Sequence, residues 1–482
     1  MNKKTRNLIL HCIVCIALYL IISNIPCSAP LTPTGVKILA IVVSAVYGWC
    51  TIDSVVPSIA AVIMFGLVTP PEITGGITGA ILSGSGSFLI MMILAVLLIC
   101  GIMVHTGLAR VLAEKIVGSK IANGRPWTLT FLLLLAAGVL SLFIPGLAVV
   151  LVVWDIAYGI FDICGFEKGD KYPPVVLIGI CAAATFGMVC SHVSTGVIPN
   201  VAIIQALDAS LHLNPVVFTL SSLVCLALFL PCCILIMKYI FKPDVSKLMN
   251  YKAPLEKPKF STDHKRALVI VIAYFVLITV PDLLPAGGVR NFLSQFGIMG
   301  WAFLFVGIAL LIRNKDGSPF ITLKQITDAS VYWDMLIMLA SIQVVCGALS
   351  NPAFGVTDWM VQILSPLTSS LGTAGVIIVL MLLGIIVTNL LDSAVTTFVF
   401  TYILYTVCAA SGINTMGAFS ILLHVSAFGM LLPACSPPLT LLYGKVPDGW
   451  VSRKDILKSA LPYVVSAYII YIVIGLITLN WY

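Results

Sequence analysis

The chain alternates long apolar runs with short polar interruptions, and run length decides what each run can be. A helix needs about 20 apolar residues to span a bilayer. Runs of roughly that order occupy 8–25, 36–50, 55–68, 88–108, 215–240, 267–280, 296–312, 335–349 and 461–477, with three longer and interrupted runs at 127–160, 175–207 and 419–443. At 388–397 the polar stretch TNLLDSAVTT separates apolar arms 375–387 and 398–408, which are too close-set to be two spans joined outside the bilayer. It reads as a re-entrant hairpin whose tip lies at membrane depth, where non-helical backbone is tolerated only if protein or a water-filled cavity satisfies it. The run 127–160 breaks in the same way around Pro145. The pattern predicts an all-α polytopic membrane protein of about 11 transmembrane helices plus two re-entrant hairpins.

Composition agrees with that reading. Of 482 residues, 60% are hydrophobic and 9% charged, against roughly 25% charged in a soluble domain. The net charge of +7 sits mainly in a few loops: Arg110 to Arg125, the linker 242–266, Arg313 to Lys324 and Lys445 to Lys458. With Lys3, Lys4 and Arg6 in the cytoplasm, all of these loops fall on the cytoplasmic side and the C-terminus lies outside. This distribution sets orientation in a cell membrane and excludes nucleic acid as a partner. The N-terminal apolar run imitates a signal peptide, but keeping it as the first span preserves the loop pattern. The 14 cysteines are scattered through apolar runs, where a thiol behaves as a small hydrophobe. Cys12 and Cys15 beside His11, and the pair Cys232 and Cys233, lack a second ligand pair for metal.

The two halves resemble one another. IPGLAVVLVV from Ile144 matches LLDSAVTTFV from Leu390, and TGVIPNVAII from Thr195 matches CSPPLTLLYG from Cys435, in the same order. An odd number of spans between corresponding elements gives the copies opposite orientation. Inverted repeats with interrupted helices at matched places mark the binding site of a secondary transporter.

At these residues, and at YGWCTIDSVVPSIAAVIMFGLV from Tyr47, the chain resembles the divalent anion:sodium symporter family of the ion transporter superfamily, as a divergent member. The hairpin tips fall where that family has paired Ser-Asn-Thr motifs, and GVIPN and SPP fall where it has Gly-x-Pro-Pro-Asn and Thr-Pro-Pro-Asn. The resemblance implies an elevator-type fold and a homodimer. It divides the chain into scaffold parts at 1–126 and 267–368, transport parts at 127–241 and 369–482, and a cytoplasmic linker at 242–266. By position it carries substrate binding to Pro145, Gly146, Ser194, Thr195, Pro199, Asn200, Ser393, Thr396, Ser436 and Pro437. It carries the coupling cation to Thr388, Asn389, Asp392, Ser393, Ala434 and Gly196. The chain departs from the family at the first tip, where Pro145-Gly146-Leu147 offers no side-chain hydrogen bond, and at the second, where Asp392 adds a carboxylate. One cation site, at the second tip, is expected to remain, with the first weakened or absent.

An aspartate deep in an apolar sequence costs about 3 kcal/mol to insert, so Asp392 reads as functional, with helix capping as its plain alternative. Asp155 reads either as a proton-coupling group or as the partner of a lysine, His192 as a titrating group or a packing one, and His424 as a packing residue. Asn200 shapes the first break, and Leu439 replaces the matching Asn in the second. No Arg or Lys lies in either tip or either break. An anion would therefore be held by helix N-termini, hydroxyls and a co-bound cation, which suits a small carboxylate. The expected function is a symporter of a small organic or inorganic anion, a di- or monocarboxylate, driven by Na+ and without an organic cofactor. A proton-coupled or exchange carrier of another metabolite, and a transporter-derived sensor without flux, stand as alternatives. Neither HExxH nor GxSxG occurs, so an intramembrane enzyme is not expected.

Overall fold

A computed structural model of the chain describes residues 3–252, 259–285, 287–433 and 435–482. These residues are helical throughout, apart from turns, loops and one isolated bridge between Arg313 and Pro319. Among them ten helices are long and apolar enough to cross a membrane, or eleven if Leu323–Ser330 and Trp333–Leu349, bent by 72°, form one span.

Eight helices build the centre. The run 127–160 becomes α1 (Pro126–Leu140) and α2 (Gly146–Cys164). The run 175–207 becomes α3 (Tyr172–Gly187) and α4 (Ile198–Leu207). In the second half, α5 (Val356–Thr388) and α6 (Ser393–Ser411) flank the second tip, and α7 (Thr415–Ala427) and α8 (Pro437–Gly444) flank the second break. Counting α3 with α4 and α7 with α8 as interrupted spans, and Val56–Val68 as a short one, recovers about eleven crossings and two hairpins. The element order repeats between halves. A span, a further helical segment, a hairpin, a broken span and a closing long helix follow one another from Phe88–His105 to Phe241, and again from Trp333–Leu349 to Thr478.

Proline sets the breaks. Pro145 precedes α2, and α3, α4 and α8 each carry proline in the first turn, where its missing N–H is unneeded and its fixed φ suits the helix. Glycine then brings the pieces together. A Cβ on Gly187 would lie 2.1 Å from the carbonyl oxygen of Gly138, and Thr130 Oγ1 meets Tyr172 OH at 2.8 Å. These two contacts lay α1 and α3 side by side in the same direction, with α2 returning antiparallel.

Several boundaries differ from the apolar runs. Thr262–Leu283 and Arg453–Thr478 begin well before the runs 267–280 and 461–477 because Ser261 and Ser452 form capping boxes that extend each helix into polar sequence. Val56–Val68 has only 13 residues, about 20 Å, and an unforeseen arm, Gly76–Ser85, packs back on it through Gly66. Gly372, at φ 64°, divides α5 into a preceding segment and the hairpin arm; Gly297, at φ 55°, kinks Gly288–Leu311. Glycine adopts that left-handed backbone without steric cost.

Candidate functional site

The second tip gathers several buried polar side chains, among them Thr388, Asn389, Thr396 and Thr397. Asp392 caps α6, its Oδ1 accepting from the amides of Ala394 at 2.9 Å and Val395 at 3.3 Å. Among the described residues Oδ2 makes no hydrogen bond. Thr396 Oγ1 donates back to the Asp392 carbonyl at 2.9 Å. Ser393 reaches across to the second break, its amide and hydroxyl both donating to the carbonyl of Cys435, at 3.1 and 2.6 Å. Thr388 Oγ1 lies 3.2 Å from Ser393 Oγ and donates to the Ser426 carbonyl. The tip is thus anchored to both ends of the 428–436 break.

Asn389 does the anchoring. Its Nδ2 donates to the carbonyls of Ile385 (2.8 Å) and Phe428 (3.2 Å), and its Oδ1 accepts from the amides of Met430 (2.8 Å) and Leu431 (3.1 Å). All four capacities of the amide are used, so in this conformation it shapes the site and its own oxygen is spoken for. Ser436 Oγ donates to the Gly429 carbonyl at 3.1 Å. A Cβ on Gly429 would sit 2.8 Å from the Thr388 carbonyl oxygen and 3.1 Å from that of Cys435. Position 429 therefore admits only glycine, packed close to Cys435 Cβ and to two carbonyl oxygens. Those two carbonyls, Ser393 Oγ and the Asp392 carboxylate one residue away are oxygens of the type hard cations take. Ala434 lies outside the described residues.

The first tip has different chemistry. Gly146 packs against Met188 Sδ (3.3 Å), the Ala184 carbonyl (3.6 Å) and Pro438 Cγ (3.8 Å), measured from where its Cβ would stand. Tip one therefore touches the start of α8 at Pro438, the residue after the Ser436–Pro437 step and three beyond the carbonyl that holds Ser393. Both tips converge on residues 435–438, and so do the N-termini of α2, α6 and α8. The first amides of α6 are taken by Asp392 and Cys435, and those of α8 are proline or bonded to Ser436, so among the described residues it is the α2 terminus, at Gly146 and Leu147, that leaves amides and partial positive charge for an anion. Pro437 is exposed at this point.

The first break folds on itself. Ser194 Oγ donates to the Met188 carbonyl at 2.6 Å, and Asn200 Nδ2 donates to the Gly196 carbonyl at 2.7 Å. A Cβ on Gly196 would lie 2.5 Å from the Met188 oxygen, so the loop closes only with glycine there. Thr195 and Pro199 point elsewhere: with Ile93, Val96, Leu97, Ile198 and Met335 they line a small apolar crevice. Asp155 is exposed on α2, and no ion pair to it is found among the described residues. Sequence reasoning missed Gly429 and the carbonyl of Cys435; the glycine and prolines around FGMLLPACSPP were the available signal.

Comparison with known proteins follows the same lines. A family model described as citrate transporter (CitMHS) matches residues 38–429. No curated protein sequence matches the chain. Among solved structures, the YdaH transporter of Alcanivorax borkumensis, reported to have an unusual topology, is similar with a TM-score of 0.59 at 13% identity, over 98% of this chain and 98% of that one.

Proposed function

We propose that this chain, which belongs to the citrate transporter family, is a secondary carrier that binds a small carboxylate where its two hairpin tips converge and moves it together with Na+. The family is one of citrate transporters, and the fold is shared with a transporter, which supports a membrane carrier of small anions. The observation that supports the finer reading is the meeting of both tips at Cys435–Pro438, where Gly146 at the start of α2 packs on Pro438 and Ser393 bonds the Cys435 carbonyl.

The N-terminus of α2 would hold the carboxylate, with the hydroxyls of Ser393 and Ser436 and the backbone at Pro145, Gly146 and Pro437 adding contacts. Thr388, Asp392, Ser393 and Cys435 would hold the cation, which supplies the positive charge that no arginine or lysine provides there. Asn389 and Thr396 keep the tip in shape. The first break, through Ser194, Gly196 and Asn200, supports the first tip and leaves it without a full cation set. Thr195 and Pro199 line the face along which α4 would slide during an elevator movement. The chain would work as a homodimer, with its N-terminus cytoplasmic and its C-terminus outside.

A ligand that binds the folded state raises its apparent stability, by about 2.7 kcal/mol at a hundredfold excess over Kd. Citrate, succinate and acetate, each with Na+ and with choline in its place, are therefore expected to raise the melting temperature of the purified chain only where the true substrate and Na+ are both present. Equal shifts in choline at every pH would contradict Na+ coupling. Equal shifts in choline that grow as pH falls would favour the proton-coupled alternative.

A further inference from the structure

The cytoplasmic linker expected at 242–266 divides between two neighbours. Lys242, in left-handed backbone at φ 46°, ends the helical run that closes at Phe241 and turns the chain back under the first hairpin. A 3₁₀ turn, Ser246–Asn250, then packs on both arms of that hairpin at its open base. On the α2 side Lys247 Nζ donates to the Gly165 carbonyl at 3.0 Å and to Asp170 Oδ2 at 2.7 Å, and it lies 5.4 Å from the centre of the Phe166 ring. On the α1 side the Gly124 amide, two residues before that helix starts, donates to the Tyr251 carbonyl at 3.3 Å. Leu248 and Tyr251 are buried, in the same core cluster as Phe166 and Tyr172.

The far end of the linker packs elsewhere. Phe260 carries the Lys115 ammonium 5.2 Å from its ring centre and meets His264 edge-on, with ring centres 6.3 Å apart. Ser261 caps Thr262–Leu283, and Arg266 Nη1 donates to Asn314 Oδ1. Lys115 sits on Leu108–Val117 and Asn314 follows Gly288–Leu311, in the two stretches expected to be scaffold. We propose that the first moving body of the carrier runs from 124 to 251 rather than from 127 to 241, with 242–251 as a clasp that keeps the two arms of the hairpin together, while 259–266 stays with the scaffold; the movement rests on the carrier reading above, the clasp does not.

Burial holds the clasp more than charge does. The side chains of Lys247 and Asp170 remain 39% and 33% exposed, and water screens such a pair, whereas Leu248 and Tyr251 are taken out of water with their apolar surface. A cation at a helix C-terminus acts on the last turn only, and α2, with 19 residues, is about 28 Å long. Lys247 therefore steadies the base of α2 and leaves the charge at its N-terminus, beside the tip, unaltered. Releasing the clasp in each transport cycle would expose Leu248 and Tyr251 to water, while carrying it along keeps their packing intact. The boundary between the two bodies then falls between Tyr251 and Phe260.

The test is a reversible cross-link across the clasp: Asp170→Cys with Lys247→Cys, in a chain carrying Cys164→Ser, joined by a short bis-methanethiosulfonate in proteoliposomes. Citrate exchange is expected to stay within about twofold of the unlinked double variant, and the pair on the other side, Lys115→Cys with Phe260→Cys, should behave alike. Exchange that stops on linking either pair and returns on reduction would overturn the proposal. Hydrogen exchange read by mass spectrometry on the natural chain gives a second measurement: amides 246–251 and 165–170 should open together, with and without citrate and Na+. Loss of protection at 246–251 while 165–170 keeps its own would overturn the clasp. If the unlinked chain does not exchange citrate, the carrier reading falls alone, and hydrogen exchange still decides the clasp.

Discussion

Asp392 carries two duties that substitution can separate. Its Oδ1 caps α6, while Oδ2 makes no hydrogen bond among the described residues. Asparagine caps nearly as well as aspartate, so Asp392→Asn is expected to change stability by less than about 1 kcal/mol yet to abolish Na+-stimulated uptake. Undiminished stimulation in that variant would reduce Asp392 to a cap. Asn389 offers the opposite case. Asn389→Ala leaves two carbonyls and two amides of the buried break without partners, and a loss of about 2 to 4 kcal/mol is expected from denaturation in detergent. In a polar loop, Lys247 Nζ bonds Asp170 Oδ2 at 2.7 Å and, with the Glu167 amide, holds the Asp170 carboxyl below its usual range. A depressed carboxylate stabilises the fold above its unfolded pKa, near 4, and that contribution fades as pH falls through the lower folded value. Lys247→Met should therefore lower stability slightly at neutral pH, the pair being partly exposed, and that difference should vanish as pH falls below about 4.

Helical elements were largely legible from the sequence, and the reason lies in where the chemistry of breaking is written. Pro145 ends one arm and starts the next, Asp392 is a cap residue in an apolar run, and IPN and SPP place proline in the first turn of α4 and α8. Such signals are local, so position alone reveals them. The kinks at Gly297 and Gly372 were not foreseen, because a glycine inside an apolar run permits positive φ without requiring it. The returning arm Gly76–Ser85 was hidden for the same reason: its packing depends on Gly66 meeting Ile77, a tertiary fact. Within the site, the tips could be located from local sequence, whereas the clamp by Asn389 was invisible because its partners lie about forty residues away. The tight crossing of α1 and α3 gives a check at this scale. Gly187→Ala would push a methyl onto the Gly138 carbonyl, and overpacking of this kind costs about 1 to 3 kcal/mol. Thermal denaturation should show that loss; an unchanged midpoint would mean the helices part easily.

Across the whole molecule, α4 and α6 bury their outer faces against helices of both halves. Ile198, Ile203, Val395 and Phe398 share one apolar cluster with Trp49, Phe65, Leu97 and Ile342. Trp49 meets Phe398 edge-on with ring centres 6.0 Å apart, and Thr357 Oγ1 meets Tyr402 OH at 3.3 Å beside it. An apolar contact free of ion pairs among the described residues has no strong directional bond to break during sliding. If the hairpins travel along this face, cysteines at 49 and 398, in a chain with Cys50 replaced by serine, should cross-link in one state and stop uptake, and reduction should restore it. Cross-linking without inhibition would argue against movement there. The central claim is that the tips converging on Cys435–Pro438 carry a carboxylate across the bilayer, and counterflow tests it most directly. Proteoliposomes loaded with unlabelled citrate and Na+, diluted into labelled citrate, are expected to accumulate label transiently, and Asp392→Asn vesicles are expected not to. Tight, saturable citrate binding by the same protein with no accumulation of label would contradict the account and leave a sensor in its place.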